Sequence, residues 1–192
     1  LEHNVDAAGD LAMIYNLCEE DLAWPLHVYV NLITLMGKPE GGGSRPIALM
    51  PMFYRLWTKI RKPELTAWER VEAGEWDAAR AGSSALRAAC LSLFQDELHV
   101  LLGEHAAAIL WDMEKFYDNV SVDKLISLSY KYNYPPKLMA LGLMMHMGMR
   151  GLKCYNLYPG SSTPSNGIIA GCTQSTTFTK ILLMEAMGTT HN

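Results

Sequence analysis

The 192 residues carry 20 acidic and 16 basic side chains, a formal charge of -4, with 49% hydrophobic and 19% charged residues. A hydrophobic share near half excludes a disordered tail, and no Pro, Gly or Ser tract is long enough to be a linker, so one globular domain with a real core is expected. The longest apolar stretch, 138–149, falls short of the roughly 18 residues a membrane span needs and is broken by Gly142, His146 and Gly148.

Nothing at the start has the basic-then-apolar form of a secretory signal. Cys18, Cys90, Cys154 and Cys172 stand far apart without a C-x-x-C pair, which predicts reduced thiols in an intracellular protein. The chain opens on Leu1 and stops at Asn192 just after an apolar run, so a fragment is expected.

In chain order, residues 7–23 space Leu11, Ile14, Tyr15, Leu17, Cys18 and Leu22 as a helix that stops before Pro25. Residues 27–36 predict a strand, GKPEGGGS a turn, and RPIALM the returning strand of a hairpin with a basic, glycine-rich tip. Pro51 suits the first turn of a helix through Ile60. A second helix is predicted over 65–80, and Ser83 or Ser84 can cap a third through Leu98.

Residues 106–111 predict a buried strand that delivers Asp112 at its end. Ser121 can cap the next helix, and Pro135 and Pro136 can open another through Met149. Residues 152–157 predict a strand, SSTPSNG a loop, and the chain closes on a helix that follows GIIAGC.

Charge is strongly segmented. Residues 1–30 carry six acids and no Lys or Arg, 31–63 a net +5, 64–123 a net -8 and 124–192 a net +5. Two basic segments in an acidic chain suit either a polyanion surface assembled from separate parts of the fold or solvated helix faces.

Three local features could carry chemistry. In LWDMEKFYDNV, Asp112 and Asp118 bracket Lys115 and Tyr117, and carboxylates at a strand end are natural ligands for Mg2+, although Asp112 alone reads first as a turn or capping residue. At the hairpin tip, Lys38 and Arg45 flank three glycines whose amides can approach an anion, but no P-loop pattern closes the tip and an exposed turn is the simpler account. In GIIAGCTQS, Gly167 and Gly171 let the backbone pass close to another surface, such as a sugar or base pair, before a helix whose first turn offers Thr173, Gln174 and Ser175. The six histidines show no metal-ligand spacing, and His146 falls in a Met-rich stripe that suits a core.

In this order the features resemble a reverse transcriptase of the non-LTR retroelement and group II intron type. LITLMGKPEGGGSRPIAL looks like the fingers hairpin, AGSSALRAACLSLF the helix before the palm, DMEKFYD the family's motif A, and GIIAGCTQSTTF its motif B, together covering about residues 26–187. The resemblance implies an α+β, helix-rich right-hand polymerase fold, with a fingers-like part over about 26–105 that carries a β-hairpin and a palm-like part over 106–192 with an incomplete antiparallel sheet.

It further implies Asp112 as a catalytic, metal-binding aspartate with the main-chain carbonyl of Met113 beside two Mg2+ ions. Tyr117 falls at the steric gate against a 2' hydroxyl, Lys38 and Arg45 on the triphosphate, and Gly171 at the templating pair. The implied partners are an RNA template, a DNA primer and dNTP, with no membrane, in the nucleus or cytoplasm.

Departures from the pattern are Ala170 where the family usually has Gln, and Thr176 where Pro commonly follows the serine. No two adjacent aspartates occur, so the family's motif C is missing, and the thumb is missing too. These 192 residues alone are therefore expected not to extend a primer. A non-catalytic, RNA-binding scaffold and a decayed element copy remain as alternatives.

Overall fold

The computed structural model describes residues 5–37, 41–72, 74, 76–80, 82–108, 112–154 and 157–188, with the backbone alone for Val5, Arg45 and Gly188. In chain order the elements are α1 (Val5–Asp21), β1 (Asn31–Gly37), β2 (Ser44–Leu49), α2 (Met52–Ile60), α3 (Lys62–Glu72) and α4 (Ala85–Leu101). They continue with α5 (Val122–Lys131), α6 (Pro136–His146), β3 (Arg150–Cys154), β4 (Leu157–Ser162) and α7 (Thr173–Gly188), and short 3-10 turns cover Leu26–Val28 and Phe116–Asn119. The fold is α+β. Among the described residues no helix is long and apolar enough to cross a membrane.

Several helix starts follow directly from local chemistry. Ser84 caps α4 by accepting from the Arg87 N–H at 3.1 Å, and Ser121 caps α5 by accepting from the Lys124 N–H at 3.3 Å. Pro136 occupies the first position of α6, where a missing N–H costs nothing, while Pro51 stands one residue outside α2 as its cap.

An aromatic cluster ties the N-terminal half to the C-terminal half. Trp24 meets the rings of Phe53, Tyr54 and Trp57 edge-on at 5.1–5.9 Å, and its indole N–H donates to the Leu141 carbonyl of α6 at 2.9 Å. Glu19 of α1 accepts from both the Trp57 indole (2.7 Å) and the Arg61 guanidinium (2.6 Å from Nε), so α1 is fastened to α2 by a charge as well as by the Tyr15 hydroxyl, which donates to the Phe53 carbonyl at 2.8 Å.

Helix α6 is buried almost all round, from Leu138 and Met139 through Met145 and His146, and its neighbour α7 buries Phe178, Ile181 and Met184. Gly142 makes their approach possible: a Cβ there would collide with the Gln174 amide and lie 3.0 Å from the Phe178 ring.

The four strands form one sheet in the order β2-β1-β3-β4. The hairpin β1–β2 pairs Gly37 with Ser44 and Leu32 with Leu49, β1 runs parallel to β3, and β3–β4 is antiparallel with an irregularity between Leu152 and Cys154. Asn31 sets the parallel register. Its backbone N–H donates to Met149 at 2.8 Å and its side-chain amide donates to the Met145 carbonyl at 2.7 Å, which joins the start of β1 to the C-terminus of α6.

The structure corrects several sequence expectations. The strands within 106–192 pair antiparallel, but the sheet they join is mixed, because α6 returns the chain beside β1 in the same direction. The first strand begins only at Asn31, since Pro25 opens a 3-10 turn. The helix expected over 65–80 ends at Glu72, and the chain then turns with Asp77 held by Lys180. Residues 106–108 form no strand, and 109–111 lie outside the described residues. The C-terminal strand is a pair, and β4 takes in Ser161 and Ser162 of the expected loop.

Candidate functional site

Residues 112–122 and 166–175 are brought together by the backbone. Lys115 adopts a left-handed conformation (φ 48°, ψ 42°) and its carbonyl accepts from the Asp118 and Asn119 N–H groups at 3.0 and 3.2 Å, turning FYDN into one tight 3-10 turn. The returning segment is then stitched to it. Gly167 N–H donates to the Val120 carbonyl at 2.9 Å, Ile168 N–H to the Tyr117 carbonyl at 2.8 Å, and Val122 N–H to the Asn166 side chain at 3.2 Å.

Gly167 is required at this crossing. Its φ is +81°, and a Cβ would lie 2.7 Å from the Asp118 carbonyl oxygen. The close surface expected for this glycine is thus the chain's own backbone. Gly171 differs: φ is +87° with nothing within 4 Å of a Cβ, so conformation alone asks for glycine.

Beneath the crossing, His146 fixes the strip that follows. Its Nδ1 accepts from the Ile169 N–H at 2.8 Å, which places the imidazole proton on Nε2, and Ser175 Oγ donates to the Ile169 carbonyl. Burial, with Arg150 adding to it, lowers the His146 pKa to about 3, so the ring is neutral at ordinary pH. Of the first turn of α7, Thr173 faces outward, whereas Gln174 and Ser175 are buried; Gln174 accepts from the Tyr54 hydroxyl at 2.9 Å.

A cleft of about 270 Å³ lies where the stitched segments face the sheet. Asp118, Ile169 and Ala170 form one side and Ile33, Pro46 and Arg150 the other. Asp118 and Arg150 are its charged lining residues; burial pulls the Arg150 pKa below its usual value, and the nearby Asp118 carboxylate raises it. Arg150 was not singled out by sequence, because nothing local marks it: the parallel pairing of Asn31 with Arg150 carries it there.

The remaining expected residues fall as follows. Asp112 and Met113 are exposed in an extended segment ahead of the 3-10 turn. Tyr117 is half-buried, packed against the core with its ring 5.9 Å from Phe116. Lys38 lies outside the described residues, and Arg45 is placed by its backbone opposite Met36 near the hairpin tip. The structure therefore brings Asp118, Ala170 and the hairpin strands to one cleft, and Asp112 and Tyr117 are not among its lining residues.

Among the described residues no three His, Cys, Asp or Glu side chains gather in a way that could hold a metal ion. The sequence matches no protein-family model and no curated protein.

Proposed function

We propose that this chain carries the fingers and front palm of an RNA-directed DNA polymerase, with RNA template, DNA primer and dNTP as partners and Mg2+ as cofactor of the complete site. One observation carries the reading: the segment after Asp112 and the segment before Gly171 are bound backbone to backbone and face the β1–β2 hairpin across a single cleft. In this reading Asp112 contributes one carboxylate to the cation site and the Met113 carbonyl stands beside it. Tyr117 packs under the sugar, Lys38 and Arg45 meet the triphosphate, and Gly171 lets the backbone approach the templating pair. The carboxylates that complete the site must come from outside these 192 residues.

The test is dNTP incorporation on primed RNA with Mg2+, using a polypeptide continued through its reading frame. Incorporation that Asp112→Ala abolishes, and Tyr117→Ala opens to ribonucleotides, supports the reading. No incorporation, with Asp112→Ala indistinguishable from the parent, sinks it.

Ala170 on the cleft wall, in place of the expected Gln, favours a second reading as a non-catalytic RNA-binding scaffold. RNA binding that depends on salt, weakens with Arg45→Ala and ignores both Mg2+ and dNTP would select it.

A further inference from the structure

A second and larger cleft, of about 940 Å³, opens between α3, residues 76–80 with Gly82 and Ser83, and the first half of α4. It shares no lining residue with the cleft beside Asp118. Arg70, Arg80 and Arg87 all line it, together with Trp76, Ser83 and Gln95. These are three of the four bases that residues 64–123 possess, collected in one place within the most acidic stretch of the chain. Of the other described acids on α3 and α4, Glu64, Glu72, Asp96 and Glu97 are not among the lining residues, and Glu75 lies outside the described residues.

The two carboxylates that do line the cleft are already engaged. Lys180 of α7, almost fully buried, places its ammonium 3.0 Å from both Glu69 and Asp77 and donates to the Ala79 carbonyl at 3.3 Å. Thr177 donates to Glu69 as well, at 3.3 Å. Among the described residues, three arginines and Lys180 against Glu69 and Asp77 leave two positive charges at the cleft.

The arginines themselves are uncommitted. Arg80 spends only its Nε, on the Asp77 carbonyl at 3.1 Å, and Arg70 and Arg87 form no ion pair among the described residues. Trp76 completes the lining. Its indole packs partly against the core and folds over Gly74, where a Cβ would strike the ring.

Guanidinium groups beside an indole are the combination that holds a single strand, the charges tracking phosphates and the ring stacking a base. The geometry points to the α3–α4 cleft as a binding site for single-stranded nucleic acid. The proposal goes beyond the polymerase reading, because it uses neither Asp112 nor the cleft beside Asp118, and it stands if that reading falls. RNA and DNA share the recognised chemistry.

The experiment is fluorescence anisotropy of the 192-residue chain with labelled U20 and dT20 between 50 and 200 mM salt. The parent binds, and Arg70→Gln/Arg87→Gln, both at exposed positions, weakens binding at least tenfold and flattens the log–log salt slope by about 1.4, at about 0.7 per lost phosphate contact. Trp76→Leu weakens oligonucleotide binding while leaving displacement by inorganic tripolyphosphate unchanged. Lys124→Gln/Lys131→Gln, on α5 and paired with Glu185 instead of lining the cleft, leaves binding within twofold. Equal losses in the cleft and control variants, an unaltered salt slope, or no binding by the parent overturns the proposal. A stronger loss for U20 than dT20 in the cleft variant identifies RNA as the strand; equal losses identify a backbone reader of both.

Discussion

Helices α4 and α6 are both rich in apolar residues, yet α6 buries seven of its eleven and α4 none. Leu91, Leu93, Phe94 and Leu98 of α4 are exposed, while Leu138, Leu141 and Met145 of α6 are among the most deeply buried residues in the chain. Composition is nearly the same, and what differs is the partner. α6 has α5 and α7 against it, a glycine that admits a neighbouring side chain, and Asn31 bonded to its last turn. Apolar content therefore predicts that a helix forms, whereas burial depends on small residues and polar ties supplied by distant parts of the sequence.

The largest effect that would break this comparison is truncation on either side of it. Phe178→Ala, against α6, is expected to cost about 3–5 kcal/mol, while Phe94→Ala on α4 stays within about 0.5 kcal/mol. Urea titration of both variants checks the contrast; equal costs would mean that α4 is packed in solution.

Lys180→Met comes next, at about 3 kcal/mol, because it strands Asp77, which is 4% exposed, and Glu69 beside it. The double variant Lys180→Met/Asp77→Asn should recover part of the loss, and no recovery would show that the methionine fails for lack of space.

Gly142→Ala should cost about 1–3 kcal/mol, since the added methyl overpacks the Gln174 and Phe178 contact, and a thermal melt unchanged from the parent would refute that close approach.

A further effect is graded with pH. His146 titrates at about 3 when folded and near 6.5 when unfolded, so the unfolded chain binds more protons between these values. The stability contributed by the neutral ring is complete above pH 6.5 and is lost on acidification, by about 1.4 kcal/mol per pH unit down to about 3. His146→Asn offers the Ile169 N–H another acceptor without a titration, so its stability curve should be flatter than the parent's over this range. Parallel curves would refute the assignment.

Features legible in the sequence are those decided within a few residues. The serine caps at 84 and 121, Pro136 opening a helix, the β1–β2 hairpin and the buried His146 all depend on local chemistry or apolar spacing. The parallel pairing of β1 with β3 depends on the Asn31 side chain reaching Met145, which no local pattern announces. The end of α3 is likewise fixed from afar, by Lys180 holding Asp77. At the candidate site, Gly167 stood out as a glycine, but its partner, the Asp118 backbone, is visible only in three dimensions.

The parallel register has a temporal consequence. Asn31 emerges from a ribosome long before Arg150, its partner in the sheet, has been made. At about 5–20 residues per second, the inner edge of the hairpin waits on the order of ten seconds for β3. Throughout that interval β1 presents unpaired backbone groups to any other strand, so slowing synthesis between these two positions should raise misassembly more than slowing it after Ser162.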